Sequence, residues 1–236
     1  LIPGVVVAIV RGPMMNQPGS ALLPPLNHHN ELIVSQKIEL AEMLLDYESR
    51  NKYTVYGANR APVAYAAEQG KGFLGVLMRL LLKHWRTFEI HLFTPDRQIV
   101  AKATHPFRFF PFNECLLVHD TRGVYLGAVQ RRFSFFSKVF DVLGPSNEVL
   151  LSVKSPLWKP WTFEFMGQGQ RQAIIEKKWG GLLKEMFTDA DVFRLGFDNP
   201  HLPDSSRWLL IAAAIFVDLQ YFENNSGASA SISLGD

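Results

Sequence analysis

From residue 51 onward the chain alternates between short runs rich in β-branched and aromatic residues and polar clusters carrying Gly, Pro, Asn or Asp. Tyr53–Tyr56 and Ala61–Ala67 flank Gly57-Ala58-Asn59-Arg60, and Thr87–Phe93 and Gln98–Ala103 flank Pro95-Asp96. The same unit recurs as Cys115–His119 with Val124–Gln130, Lys138–Leu143 with Glu148–Val153, and Thr162–Met166 with Ala173–Lys177. Each pair predicts a β-hairpin, because the intervening residues are those that reverse a backbone at low cost. Leu32–Ile38 adds a strand before the five hairpins, and Val192–Phe197, where Phe193, Leu195 and Phe197 alternate, adds one after them. Twelve antiparallel strands in an open sheet would leave exposed edges. The expected fold is therefore mostly β, either a closed twelve-stranded antiparallel barrel of consecutive hairpins or a large sandwich.

Two segments break this rhythm. Trp179–Phe187 has helical spacing and ends at Thr188-Asp189. Trp208–Phe222 is apolar on every face except Asp218 and Gln220, and Asp204-Ser205-Ser206 stands ready to cap its start. A helix apolar all round belongs in lipid or inside a protein. Its fifteen residues, at ~1.5 Å each, reach only ~22 Å, short of a ~30 Å hydrocarbon core. The expectation is a helix buried inside the barrel, with Trp208, Ile211, Ile215, Phe216, Leu219 and Phe222 against the wall. Ala212, Ala213 and Ala214 would let it fit a narrow lumen. Before the first strand, residues 1–30 carry Pro13, Pro18, Pro24 and Pro25 and read as a flexible leader with no means of packing a core. The barrel domain spans 31–224, and 225–236 read as a disordered Ser/Gly/Ala tail.

Composition changes the picture in two ways. With 47% hydrophobic residues and a net charge of +2, intrinsic disorder is excluded for most of the chain, and a single cysteine excludes a disulfide framework. No Gly-rich phosphate loop, Gly-x-Ser-x-Gly elbow or His-Glu-x-x-His is present, so nothing points to bond-making chemistry or a nucleotide cofactor. The cations, however, are unevenly placed. If the hairpin turns lie at one end of the barrel, the connectors 70–86, 104–114, 131–138 and 154–161 lie at the other. Their 44 residues hold 11 of the 29 aromatics, 10 of the 24 Lys and Arg, and 1 of the 22 acids. Trp85 with Arg86, Phe109 and Phe110, Arg131 with Arg132, and Trp158 and Trp161 around Lys159 combine interfacial rings with cations. That pattern predicts a rim facing a phospholipid membrane, preferentially an anionic one. Phe73–Leu82 could add a helix lying in the interface.

Three blocks give the chain a family resemblance. Lys178-Trp179-Gly180-Gly181-Leu182-Leu183-Lys184-Glu185-Met186-Phe187-Thr188-Asp189-Ala190-Asp191-Val192-Phe193 resembles the most specific pattern of the phospholipid scramblases, in the tubby-like (LURP-one-related) superfamily. Leu32–Gln36 with Asn51-Lys52-Tyr53 resembles that family's opening, and Ala213–Asp218 through Tyr221-Phe222-Glu223 its closing helix. The resemblance implies a twelve-stranded barrel around a C-terminal helix, and Ca²⁺-activated movement of phospholipids between leaflets. It places a metal segment at Asp189 and Asp191, with Asp198 displaced from the family's closing Asp; Arg194 and Pro200 stand where an EF-hand loop needs Gly and Glu. The cysteine cluster linked to acyl anchoring in the family is absent, and Cys115 reads as a core residue. The expected role is scramblase-like, at a plasma or mitochondrial membrane, with homo-oligomers as one route to lipid transfer. The rival is a non-catalytic tubby-like module that binds anionic lipid as an adaptor. No specific nucleic-acid partner is expected.

Overall fold

The computed structural model describes residues 23–36, 51–69, 87–106, 114–156, 158–159, 161–178 and 191–221. It contains twelve strands: β1 Glu31–Gln36, β2 Lys52–Gly57, β3 Pro62–Glu68, β4 Phe88–Phe93, β5 Ile99–His105, β6 Cys115–Asp120, β7 Tyr125–Arg132, β8 Ser137–Leu143, β9 Val149–Pro156, β10 Thr162–Gly167, β11 Gln170–Lys178 and β12 Asp191–Phe197. Each pairs antiparallel with its sequence neighbours, and β1 pairs with β12 to close a barrel with no free edge. The expected closed barrel is thus observed and the sandwich is excluded.

The hairpins repeat one turn. In four of them the first residue donates to the carbonyl four positions on, and a left-handed residue precedes the second strand: Arg60 (φ 64°), Arg97 (66°), Gly123 (81°) and Asn147 (61°). A register shift in each flanking ladder completes the three-residue loop with a bulge. The fifth uses Gln168 and Gly169, both with positive φ. These turns share one end of the barrel with the start of β1, because Leu32 lies opposite Gly57. The longer connectors share the other end.

Alternation then sorts the side chains. Leu32 and Val34, Ala101 and Ala103, Phe163 and Phe165, and Phe193 and Leu195 all point inward and are buried. The lumen holds one helix, α1 (Asp204–Tyr221), in which Trp208, Ile211, Ile215 and Phe216 are fully enclosed and Leu219 nearly so. The outer wall carries ionic pairs instead: Arg194 on β12 bridges Glu31 on β1 at 2.6 Å and Glu176 on β11 at 3.0 Å.

Two details differ from the sequence reading. The helix starts four residues earlier than Trp208: Pro203 accepts from the Arg207 amide, and Asp204 Oδ1 accepts from the Leu26 amide at 2.7 Å rather than serving a later start. Residues 23–30, expected in a leader without a core role, pack across the turn end of the barrel. Leu26 is buried, Trp208 Nε1 donates to the Pro24 carbonyl, and the Arg207 guanidinium donates to Leu26 and His29 carbonyls. The prolines hide this role, since loop carbonyls leave no signature in side-chain pattern. Phe222, Phe73–Leu82 and Trp179–Phe187 lie outside the described residues.

Candidate lipid-facing rim

At the connector end the lumen wall changes chemistry within one pleat. Two positions on from the apolar wall residues stand Glu68 after Ala66, His105 after Ala103, Arg131 after Val129 and Lys177 after Ile175. Glu114 precedes Leu116, and Lys138 precedes Phe140, on the same inward face. The helix contributes Asp218, buried and accepting from the Tyr53 hydroxyl at 2.8 Å, and then Tyr221. These groups form a polar layer between the apolar lumen and the connectors above it.

The layer has two sides. Asn51 Nδ2 donates to Glu68 at 2.6 Å on the β1–β3 side, and its Oδ1 accepts from Gln36 at 2.9 Å. On the β7–β8 side the cations gather around the helix end. Lys138 Nζ sits 4.3 Å from the Tyr221 ring centroid and 5.3 Å from that of Phe163. The Arg131 guanidinium lies 5.5 Å from the same Tyr221 ring and is held by Glu114 at 2.9 Å. Helix α1 has no basic residue in its last turn, so wall cations supply the positive charge that its C-terminal dipole favours. Burial first, and the neighbouring Arg131 second, bring Lys138 down to about 8 from the ordinary lysine value. Burial pushes the Tyr221 hydroxyl up. Further round, buried Lys177 lies 5.6 Å from the Phe193 ring and 6.0 Å from that of Trp161.

Above this layer lie the exposed rings. Phe135 is 76% exposed, Phe136 and Trp158 are each 78%, Phe133 is 52% and Trp161 is 37%. All large aromatics counted as exposed among the described residues therefore stand at one end, on the β7–β8 and β9–β10 connectors. Phe133 and Phe135 pack edge to face at 4.6 Å, so the β7–β8 loop presents a joined apolar tip.

The expected rim residues divide accordingly. Trp158 and Trp161 are among the exposed rings of the connector end. Arg131 and Arg132 are strand residues, one facing in and one out, and each is matched by a carboxylate: Arg131 by Glu114, and Arg132 by Asp141 on β8 at 2.8 Å. Glu114 is the one acid already counted in the connectors, whereas Asp141 is a strand acid that a count over connectors alone leaves out. Trp85, Arg86, Phe109 and Phe110 lie outside the described residues. Phe135, Phe136 and Lys138 are not among the rim residues named from the sequence, and Tyr221 is named there only within the closing-helix resemblance. The signal was available in Arg-Arg-Phe-Ser-Phe-Phe-Ser-Lys, since three Phe in a four-residue loop between ended strands have no core to enter.

The aspartates expected to hold Ca²⁺ do not come together as one set. Asp191 opens β12 at the connector end, whereas Asp198 follows its last residue at the turn end, roughly 20 Å away at ~3.3 Å per residue. There Asp198 accepts from Arg171 Nε at 2.7 Å and Nη2 at 3.1 Å. An arginine-paired carboxylate a strand length away cannot share a cation with Asp191. Asp189 lies outside the described residues. Among the described residues no three His, Cys, Asp or Glu side chains gather as a metal site would require.

Comparison with known proteins agrees with the reading of the motifs. A protein from Saccharomyces cerevisiae, altered inheritance rate of mitochondria protein 25, is 23% identical over 83% of this chain and 71% of its own. Phospholipid scramblase 2 of Bos taurus is 25% identical over 88% of this chain and 76% of its own. A solved structure of a protein from Arabidopsis thaliana aligns at a TM-score of 0.44 and 10% identity, over 80% of this chain and 90% of that one. The Scramblase family matches residues 8–224, nearly the whole length, and the chain belongs to that family.

Proposed function

We propose that this protein promotes movement of phospholipids between membrane leaflets, meeting the bilayer with the connector end of its barrel. The observation that carries the orientation is the confinement of Phe133, Phe135, Phe136, Trp158 and Trp161 to that end. Aromatic rings partition to the headgroup level, and anionic headgroups complement nearby lysines and arginines. The expected partner is an anionic phospholipid surface, of the plasma or mitochondrial membrane. Because the lumen is filled by α1, headgroups have no route along the barrel axis, and transfer would require homo-oligomers or a partner protein. A Ca²⁺ requirement, as the family resemblance implies, would rest on Asp189 and Asp191 without Asp198.

The filled lumen favours a second reading, an adaptor that binds anionic lipid without moving it. Reconstitution into vesicles with a labelled lipid, read by dithionite quenching with and without Ca²⁺, separates the two. Quenching beyond the outer-leaflet half is the outcome expected of lipid movement, and membrane binding with quenching held at half would establish the adaptor. The orientation is tested by Phe135→Ser/Phe136→Ser. At about 2 kcal/mol lost per ring, partition to anionic vesicles falls on the order of 1,000-fold. Unchanged flotation would reject the docking end.

A further inference from the structure

We infer that Arg131 and Lys138 form a clamp for the phosphate of one phospholipid headgroup, set directly behind the Phe133–Phe136 loop; this rests on the membrane-facing reading of that loop. The two cations flank the loop in sequence and stand on adjacent strands, β7 and β8, both facing the barrel mouth. They share one platform, the Tyr221 ring, at 5.5 Å from the guanidinium carbon and 4.3 Å from the ammonium. Glu114 holds the arginine in place from the β6 side at 2.9 Å. A loop tip of exposed rings entering the interface would carry the pair to the level of the phosphates, which lie just outside the acyl boundary. Glu114 offsets part of the Arg131 charge, yet Arg131 still repels Lys138 across the half-buried site, and an anion placed between the two cations would attract both. The aromatic faces of Tyr221 and Phe163 exclude water on the inner side, which strengthens the interaction without demanding full burial of a charge.

The protonation of Lys138 reports occupancy. The groups beside it are Arg131 on β7, itself paired with Glu114 just before β6, and the rings of Tyr221 on α1 and Phe163 on β10. Without ligand its midpoint lies at about 8, so the clamp loses a charge as pH rises through that value. A bound phosphate favours the ammonium form and moves the midpoint up, each pH unit corresponding to a tenfold preference for the charged state.

The experiment uses the full chain with lysines isotopically labelled for NMR, and dihexanoyl phosphatidylserine below its micellar concentration as the soluble probe. The expected results are an upward shift of the Lys138 midpoint by about one unit, and binding at least tenfold weaker in Lys138→Gln, with Arg131→Lys as a second variant that keeps a cation for Glu114. Binding of the probe should persist in Phe135→Ser/Phe136→Ser, whose loss is confined to vesicles. An unmoved midpoint, or Lys138→Gln binding like the parent chain, overturns the clamp. Inorganic phosphate bound as tightly as the lipid also overturns it, identifying a general anion site. Retention of vesicle binding by the double Phe variant instead overturns the docking end, so the two failures are distinguishable.

Discussion

Arg207 shows how far a single side chain can organise the turn end. It is 0% exposed, and its guanidinium donates to the carbonyls of Leu202, Leu26, His29 and Pro200 at 2.9, 3.1, 2.6 and 3.0 Å. Its flat face lies 4.2 Å from the Phe197 ring centroid. Only a planar fork with five donors can serve carbonyls from two separate loops at once. Replacing it by Met would strand those acceptors in the interior, a loss of about 3–5 kcal/mol, or on the order of 10 °C in Tm for a domain of this size. Thermal unfolding of Arg207→Met checks this, and a Tm within 2 °C of the parent, roughly 1 kcal/mol or less, would show that the loops hold without it. Asp120 offers a pH test at the same scale. Burial alone would raise its carboxyl, but hydrogen bonds from the Val124 amide and from Arg122 outweigh it, and the net direction is downward. A carboxylate with a depressed folded-state value contributes stability above its unfolded value, and loses it as pH falls through the folded one. Asp120→Asn should therefore narrow the stability gap between neutral and strongly acid pH, measured as denaturation midpoints across that range.

At the scale of elements, the strands and turns were written plainly and their ends were not. Gly, Asn or Asp stands in every reversal, at the left-handed position itself in Gly123, Asn147 and Gly169 and beside it where Arg60 and Arg97 take that position, which is why the hairpin count from sequence reached the observed twelve strands. The connector ends carry no such marks. Strands β5, β7 and β9 run on through His105, Arg132 and Pro156, converting residues read as loop into alternating wall positions. That misplacement is what concealed Arg131 as inward-facing and the β7–β8 loop as a four-residue tip. Gly127 on β7 is a case where sequence gives a glycine and only packing gives its reason. With φ at 145°, an added Cβ would fall 2.2 Å from the Leu143 carbonyl oxygen and 2.9 Å from Leu209 of the helix. Neither the β7–β8 ladder nor the helix can retreat cheaply. Gly127→Ala should cost about 2–3 kcal/mol, by comparison with other overpacked cores, and a denaturation midpoint equal to that of the parent would contradict this close approach.

For the whole molecule the deciding relation is between helix and barrel. The wall is apolar inside and carries ion pairs on its outer face at β1, β11 and β12, the reverse of a barrel that faces lipid there. No helix among the described residues is long and apolar enough to cross a membrane. Moving α1 into a bilayer would restore burial to the helix but leave Phe140, Phe163, Phe193 and Leu195 around an empty lumen. Eight large apolar side chains leave that lumen with the helix, from Trp208 to Leu219. In water, at about 2 kcal/mol each, the lost burial would be on the order of 16 kcal/mol, comparable with the whole stability of a typical domain. Release of the helix into water is therefore equivalent to unfolding the barrel, and the lipid movement we propose would proceed with α1 in place. Hydrogen exchange tests this directly on protein bound to anionic vesicles. Amides from Leu209 to Leu219 should remain among the slowest to exchange, as slow on vesicles as in solution, because their opening requires global unfolding. Exchange accelerated on membranes in this segment alone would mean that lipid supplies what the lumen gave up, and that the helix is the moving part.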